Sequence, residues 1–383
     1  MREFPQDLVD LVLDRVADAC SDNTNLAACG GVCRRWMPRS RMYFFSRVHI
    51  PLFRADPTTI QAFLDIVDTS LVDVLSFVQS LDLALIETEG PEPEYHDVTP
   101  ADRLCQPLLA TQIRRFGACP SLTRFELKLP GDIGLHTVSN IVSALPLLTH
   151  LRIGGGDYTI VQSETPPVKD MFPPHLRNLD LSVDARGASL FFGWLLSHST
   201  PPTFTSLVLV GDAMGRSIAP IESYLRSYGS TIETSLFDYW ADYYGRTETI
   251  KTIFLASTPR LLNLTLKYQC PKIIPTTLAL IASVHLVDLH IEVRPPMYGR
   301  PDWPRIDEVL AARFPSLKRL CFEMYKTTLA DIKPLMPQVG GILEVKEQPK
   351  IPSVFEADAS TVLQPYSSSS KTLRELLKRG KSV

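Results

Sequence analysis

Residues 148–153 read LTHLRI and residues 176–181 read LRNLDL. Both spell one phrase: an apolar residue, two variable ones, an apolar residue, one variable, and a last apolar residue. Apolar positions two apart signal a strand with one buried face, because successive strand side chains point to opposite sides. The phrase recurs as VQSLDL from Val78, LTRFEL from Leu122, FTSLVL from Phe204, LLNLTL from Leu261, LVDLHI from Leu286 and LKRLCF from Leu317. FSRVHI from Phe45 also fits it.

The middle apolar positions are Leu81, Phe125, Leu151, Leu179, Leu207, Leu264, Leu289 and Leu320, at intervals of 44, 26, 28, 28, 57, 25 and 31. The interval of 57 is close to two repeats, and IETSLF from Ile232 is a degenerate candidate for the missing copy. The interval of 44 holds ETEGPEPEYHDVTPAD at 87–102, an acidic, proline-bearing segment that reads as an inserted loop. A spacing of 25–31 residues marks a repeat architecture. Helix-like stretches lie between the phrases. IGLHTVSNIVSAL sets Leu135, Val138, Val142 and Leu145 at helical spacing, and SLFFGWLL, ETIKTIFLA and RIDEVLAARF occupy equivalent places.

Strand, turn, helix and return at this period resemble a leucine-rich-repeat solenoid, with a curved parallel sheet lining the concave side. The fold class is therefore expected to be α/β. The asparagine usual shortly after the last apolar strand position is absent throughout, so irregular repeats without continuous asparagine ladders are expected. A doubly wound α/β domain would also alternate strands and helices, but it would not repeat one phrase at a nearly fixed interval.

Composition sets the outer limits. A chain of 383 residues suits two units or one extended array. With 45% hydrophobic and 21% charged residues it is an ordinary folded, soluble type with enough apolar material for a substantial core. A net charge of −3 gives no global attraction to nucleic acid or to an acidic membrane. The start MREFPQDLVD lacks a signal-peptide pattern, and no apolar run of about 18 residues is present, so no membrane span is expected. Seven scattered cysteines without a C-x-x-C pair read as reduced thiols of a cytoplasmic or nuclear protein.

Ahead of the repeats, FPQDLVDLVLDRVADAC reads as a helix entered through Pro5, with Leu8, Val12 and Val16 in one stripe and further apolar residues widening it. Leu26, Cys29, Cys33 and Trp36 form a second helical stripe, which Pro38 is expected to end or kink. Helices apolar on more than one side need a second surface, supplied either by the following domain or by another protein.

FPQDLVDLVLDRV, NLAACGGVCRRW and FFSRVHI, in that order, resemble an F-box of the fungal type over about Phe4 to Ile50. Phe4 stands where leucine is usual, Asp7 where glutamate is common, and the inter-helix loop is slightly long. The resemblance implies binding to the SKP-family adaptor of a cullin–RING ubiquitin ligase. By position, Phe4, Pro5, Leu8 and Val12 would supply contacts from the opening and first helix, and Val32, Cys33 and Trp36 from the second. The expected organisation is an F-box at 1–50, a solenoid at 51–345 and a flexible tail at 346–383.

Catalytic patterns are missing. GGGDY from Gly154 lacks both the phosphate-loop and the dinucleotide pattern, and neither H-E-x-x-H nor G-x-S-x-G occurs. His285 and His290 do not share a sheet face, which makes them poor paired ligands. No enzyme activity, metal or cofactor is expected. Outward strand positions are expected to carry Arg124, Glu126 and Lys128; His150 and Arg152; Asn178 and Asp180; Val208 and Val210; Thr265 and Lys267; His290 and Glu292; Arg319 and Glu323. Asp132, Asp157, Asp184 and Asp212 recur five to seven residues after their middle apolar positions, as turn or helix-cap residues or as an acidic rim for a basic partner. The expected function is target recognition for a ubiquitin ligase, with an unidentified protein target. The alternative is a repeat scaffold whose N-terminal helices only cap the solenoid.

Overall fold

A computed structural model of the chain describes residues 6–19, 28–29, 32, 36–53, 58–69, 74–86, 111–117, 119–128, 133–154, 160–162, 167, 172–212, 219–240, 254–268, 271–293, 300–324 and 327–347. The acidic 87–102 segment and the expected tail from residue 348 onward lie outside these residues.

The described strands are β1 (Arg47–Phe53), β2 (Ser80–Ile86), β3 (Arg124–Lys128), β4 (Ile133–Gly134), β5 (His150–Gly154), β6 (Ile160–Val161), β7 (Asn178–Ser182), β8 (Ser206–Asp212), β9 (Thr234–Trp240), β10 (Asn263–Tyr268), β11 (Asp288–Val293), β12 (Arg319–Met324) and β13 (Leu343–Glu347). Eleven form one sheet in the order β1-β2-β3-β5-β7-β8-β9-β10-β11-β12-β13, and β4 pairs with β6 separately. Every neighbouring pair in the large sheet is parallel. Chain order equals spatial order, as stacking of successive repeats requires. The chain is an α/β, leucine-rich-repeat-like solenoid.

Register turns the repeated phrase into continuous rows. Leu81, Phe125, Leu151, Leu179 and Leu207 lie opposite one another, as do Leu264, Leu289 and Leu320, and each is at most 2% exposed. The gap of 57 is filled by β9, as the degenerate IETSLF suggested. Ser235 takes the middle position there, opposite Leu207 and Leu264, with its hydroxyl donating to the Leu207 carbonyl at 2.8 Å. Two further inward rows, including Leu148, Leu176 and Phe204 before the middle position and Ile153, Leu181 and Leu209 after it, are buried as well. They join the helices Leu135–Ser143, Ala185–Leu196, Ala219–Tyr228, Ile274–Leu280 and Trp303–Arg313 in a single hydrophobic cluster. The helical spacing of Leu135, Val138, Val142 and Leu145 thus buries all four.

At the strand entrances main chain links each repeat to the one before it. Thr149 N donates to Thr123 O at 2.8 Å, Arg177 N to Thr149 O at 3.0 Å, Thr205 N to Arg177 O at 2.8 Å, and Glu233 N to Thr205 O at 2.8 Å. The series continues through Leu262, Val287 and Lys318. Each donor is two residues ahead of a middle position, so these backbone groups are satisfied from one repeat to the next.

The N-terminal region packs against the first repeat. In the helix Gln6–Ala19, Val9 and Leu13 are buried, and β1, which runs across residue 50, pairs with β2. Pro38 opens a helix instead of ending one. It sits in the first turn of Met37–Ser46, where a missing N–H costs no intrahelical bond.

Candidate protein-interaction surface

On the side of the sheet away from the helices, alternate strand residues face outward. Those directly after the middle apolar position form a central row across the sheet: His49, Asp82, Glu126, Arg152, Asp180, Val208, Leu236, Thr265, His290, Cys321 and Glu344. The sequence pattern names six members of this row and misses five: His49, Asp82, Leu236, Cys321 and Glu344. Leu236 and Cys321 are residue types of the core, and their outward position emerges only from the register.

From β1 to β7 the outward charges close on one another. His49 Nδ1 lies 2.8 Å from Asp82, Lys128 Nζ reaches Asp82 and Glu126 at 3.2 Å each, and Arg152 bridges Glu126 at 3.4 Å and Asp180 at 3.1 Å. The ends of this chain titrate in opposite directions. Burial pushes the Asp82 carboxyl up, but the hydrogen bonds from His49 and Lys128 outweigh it and hold the group below its ordinary value. For Asp180 burial wins over the pull of Arg152, and Glu126 adds to the rise. His150, on the neighbouring row, is held below its ordinary value by burial and by Arg124.

Along the central row the charges stop at β8 and β9, where Val208 and Leu236 stand half-buried with Val210 beside them, and Asp238 takes the register position opposite Val210. Beyond them lies a depression of about 300 Å³, lined by Asn263, Thr265, Asp288, His290, Arg319, Cys321 and Lys346 with the backbone positions of Leu264 and Leu289. Its floor is low because Thr265 and Cys321 are short. Lys267 pairs with Glu292 at 2.9 Å on one flank. His290 Nε2 lies 3.3 Å from Glu323 but out of line for a hydrogen bond. Arg319 and Lys346 share Glu344, at 3.2 and 3.7 Å.

Of the four rim aspartates, Asp184 and Asp212 lie among the described residues. Asp184 caps the helix Ala185–Leu196, accepting from Gly187 N at 2.6 Å. Asp212 ends β8, and Asp132 and Asp157 lie outside the described residues.

A second surface lies on the N-terminal helix. With Val9 and Leu13 turned inward, Leu8, Leu11 and Val12 form an exposed stripe, at 46%, 55% and 40% exposure. Val32 is 62% exposed and Trp36 is half-buried, whereas Phe4, Pro5 and Cys33 lie outside the described residues. The helix is held from its other side: Asp14 accepts from Arg39 at 3.0 Å and from the Tyr43 hydroxyl at 2.7 Å. Those bonds, that of Tyr43 foremost, keep its carboxyl below the usual range.

No protein-family model matches the chain, and no curated protein matches it. Among solved structures, the leucine-rich repeat-containing protein LegL7 from Legionella pneumophila is similar at 14% identity, over 78% of this chain and 99% of its own, with a TM-score of 0.36.

Proposed function

We propose that the chain is a target-recognition subunit of a cullin–RING ubiquitin ligase. The N-terminal helices bind an SKP-family adaptor, and through it a cullin, while the open face of the sheet holds a target protein. The observation carrying this reading is the stripe of Leu8, Leu11 and Val12. Helices that served only to cap the solenoid would bury their apolar residues, as Val9 and Leu13 are buried. Three large aliphatic side chains left facing solvent on one helix favour a partner over a cap.

The test is co-purification of the full chain with an SKP-family adaptor. Replacing Leu8 and Val12 together by glutamate is expected to abolish capture, since a centrally placed anchor contributes about 2 kcal/mol or more. Both positions are exposed, so the thermal melt is expected to stay unchanged. Capture that survives the double substitution, or a wild-type chain that captures no adaptor, leaves the second reading: a repeat scaffold that binds its partner without a ligase.

A further inference from the structure

The helix Gln6–Ala19 has three faces. Val9 and Leu13 are buried, Leu8, Leu11 and Val12 are exposed, and Asp10 and Asp14 stand one turn apart on a third side. At about 100° per residue, the buried pair and the acidic pair lie about 100° apart, and the exposed stripe is opposite their midpoint. The helix is therefore gripped from two flanks, one apolar and one charged.

The apolar grip is local. Val9 and Leu13 stand outside the hydrophobic cluster that joins the sheet to its helices. Among the described residues, every hydrogen bond that leaves the helix ends on Asp14. Its Oδ1 accepts from Arg39 Nε at 3.0 Å and from the Tyr43 hydroxyl at 2.7 Å, and its Oδ2 accepts from Arg39 Nη2 at 3.1 Å. The Arg39 guanidinium lies 5.3 Å from the centre of the Tyr43 ring, and Asp10 adds a second negative charge near it. Burial first, and then the bond to Asp14, push the Tyr43 hydroxyl above its ordinary value, so it stays a donor at neutral pH. Arg39 and Tyr43 belong to Met37–Ser46, which runs without a break into β1 and so into the sheet.

We propose that Asp14, Arg39 and Tyr43 form a latch, and that opening it detaches the helix Gln6–Ala19 as a unit while the solenoid stays folded. Local opening of this kind needs few buried apolar contacts with the rest of the fold, and two side chains outside the main cluster meet that condition. The two-pronged guanidinium–carboxylate pair fixes an orientation as well as a distance. Closed, the latch sets the direction in which Leu8, Leu11 and Val12 point, so its three residues are positioning residues for a partner of the stripe. A stripe on a detached helix has no fixed direction, and a partner binds only the latched fraction. The latch is a property of the chain alone. Only its effect on capture rests on the adaptor reading.

The experiment is hydrogen exchange of the full chain, read by mass spectrometry over peptides from 6–19 and from strands β3 to β12. Asp14→Arg sets two cations against each other and is expected to speed exchange over 6–19 about tenfold or more, the loss of hydrogen bonds to a charged group. The strands are expected to exchange as in wild type. Arginine is a better helix former than aspartate, so helix propensity alone would slow exchange instead. Adding Arg39→Asp reverses the pair and is expected to recover most of the protection. Tyr43→Phe keeps the ring and loses one bond, and is expected to fall between wild type and Asp14→Arg. Wild-type exchange over 6–19 in Asp14→Arg, or a double variant no better protected than the single one, overturns the latch. Faster exchange in the strands as well would show that helix and solenoid open together, which also overturns it. Capture of an SKP-family adaptor by the same variants is expected to fall with Asp14→Arg and to return with the reversed pair. Unchanged capture beside fast exchange overturns the positioning role. A wild-type chain that captures no adaptor fells the ligase reading, and the latch then stands or falls by exchange.

Discussion

Strands β2 to β7 and strands β8 to β12 share one inward frame and present different outward faces. Inward, Leu81 and Leu320 stand at equivalent points of one buried row, and the residues between them differ little in burial. Outward, the first group is a closed chain of ion pairs from Asp82 to Asp180, whereas the second opens into an aliphatic patch and a shallow depression. The frame needs every inward position to be apolar or, as at Ser235, to return its polar atom to the neighbouring strand. It places no such demand outward. Divergence between the two halves is therefore not a folding requirement, and it marks where the surface is free to be specialised.

Adjacent residues on one strand give the largest contrast. Leu207 is fully buried and Val208, next to it, faces outward. Leu207→Ala is expected to cost about 2–5 kcal/mol by leaving a cavity in the middle row. Val208→Ala is expected to cost less than about 1 kcal/mol. Denaturant unfolding of the two variants measures both, and equal losses would mean that the outward row is also structural.

The close approach of neighbouring repeats gives the next effect. Gly211 in β8 has φ +157°, and a Cβ there would collide with the Val183 carbonyl oxygen. Both partners are backbone, so neither can step aside cheaply. Gly211→Ala is expected to lose about 1–3 kcal/mol. Gly193 lies within the helix Ala185–Leu196 and the nearest atom to its added Cβ would be 3.9 Å away, so Gly193→Ala is expected to gain up to about 1 kcal/mol in the same unfolding assay. A Gly211→Ala variant as stable as wild type would show that the repeats can separate without cost.

The inward frame was legible because each buried row obeys a fixed spacing in the chain. It became faint where polar or glycine residues took frame positions. Ser235 fills a leucine slot, and its neighbour Leu236 diverts the eye to the wrong side of the strand. β13 is fainter still, because Gly340 stands where the phrase would begin with an apolar residue. The helix Ile274–Leu280 carries Pro275 in its first turn, so a residue that reads as a breaker opens the element instead. Asp307 was invisible for a different reason. It is 2% exposed, and it accepts from Gln338 N and Val339 N, 31 and 32 residues away, so no local pattern announces it. The outward surface was legible as a set of residue types and not as a site. Which charges cancel depends on lateral register between strands 26 to 46 residues apart, such as Lys128 with Asp82.

The smallest effect tests whether the charged half is as closed as its geometry suggests, and it turns on pH. Asp82 has a folded pKa below its ordinary value of 3.8, so the folded state favours its charged form. Its contribution is present above the unfolded pKa and is lost as pH falls through the folded one. Asp82→Asn is therefore expected to destabilise the protein at pH 7 by ~0.5–1 kcal/mol, the range of partly exposed ion pairs, and to lose that deficit below about pH 3. Asp180 has a folded pKa above 3.8, so ionising it in the folded state works against stability despite Arg152. Asp180→Asn is expected to be neutral or slightly stabilising at pH 7, with the gain vanishing as pH drops below the unfolded value. Thermal melts of both variants between about pH 3 and pH 7 read the two signs directly. Opposite pH trends would mean that the ladder is anchored at its β1–β2 end and slack where it meets Val208. Parallel trends would mean that Arg152 compensates Asp180 in full, and the boundary between the two halves would then lie beyond β7.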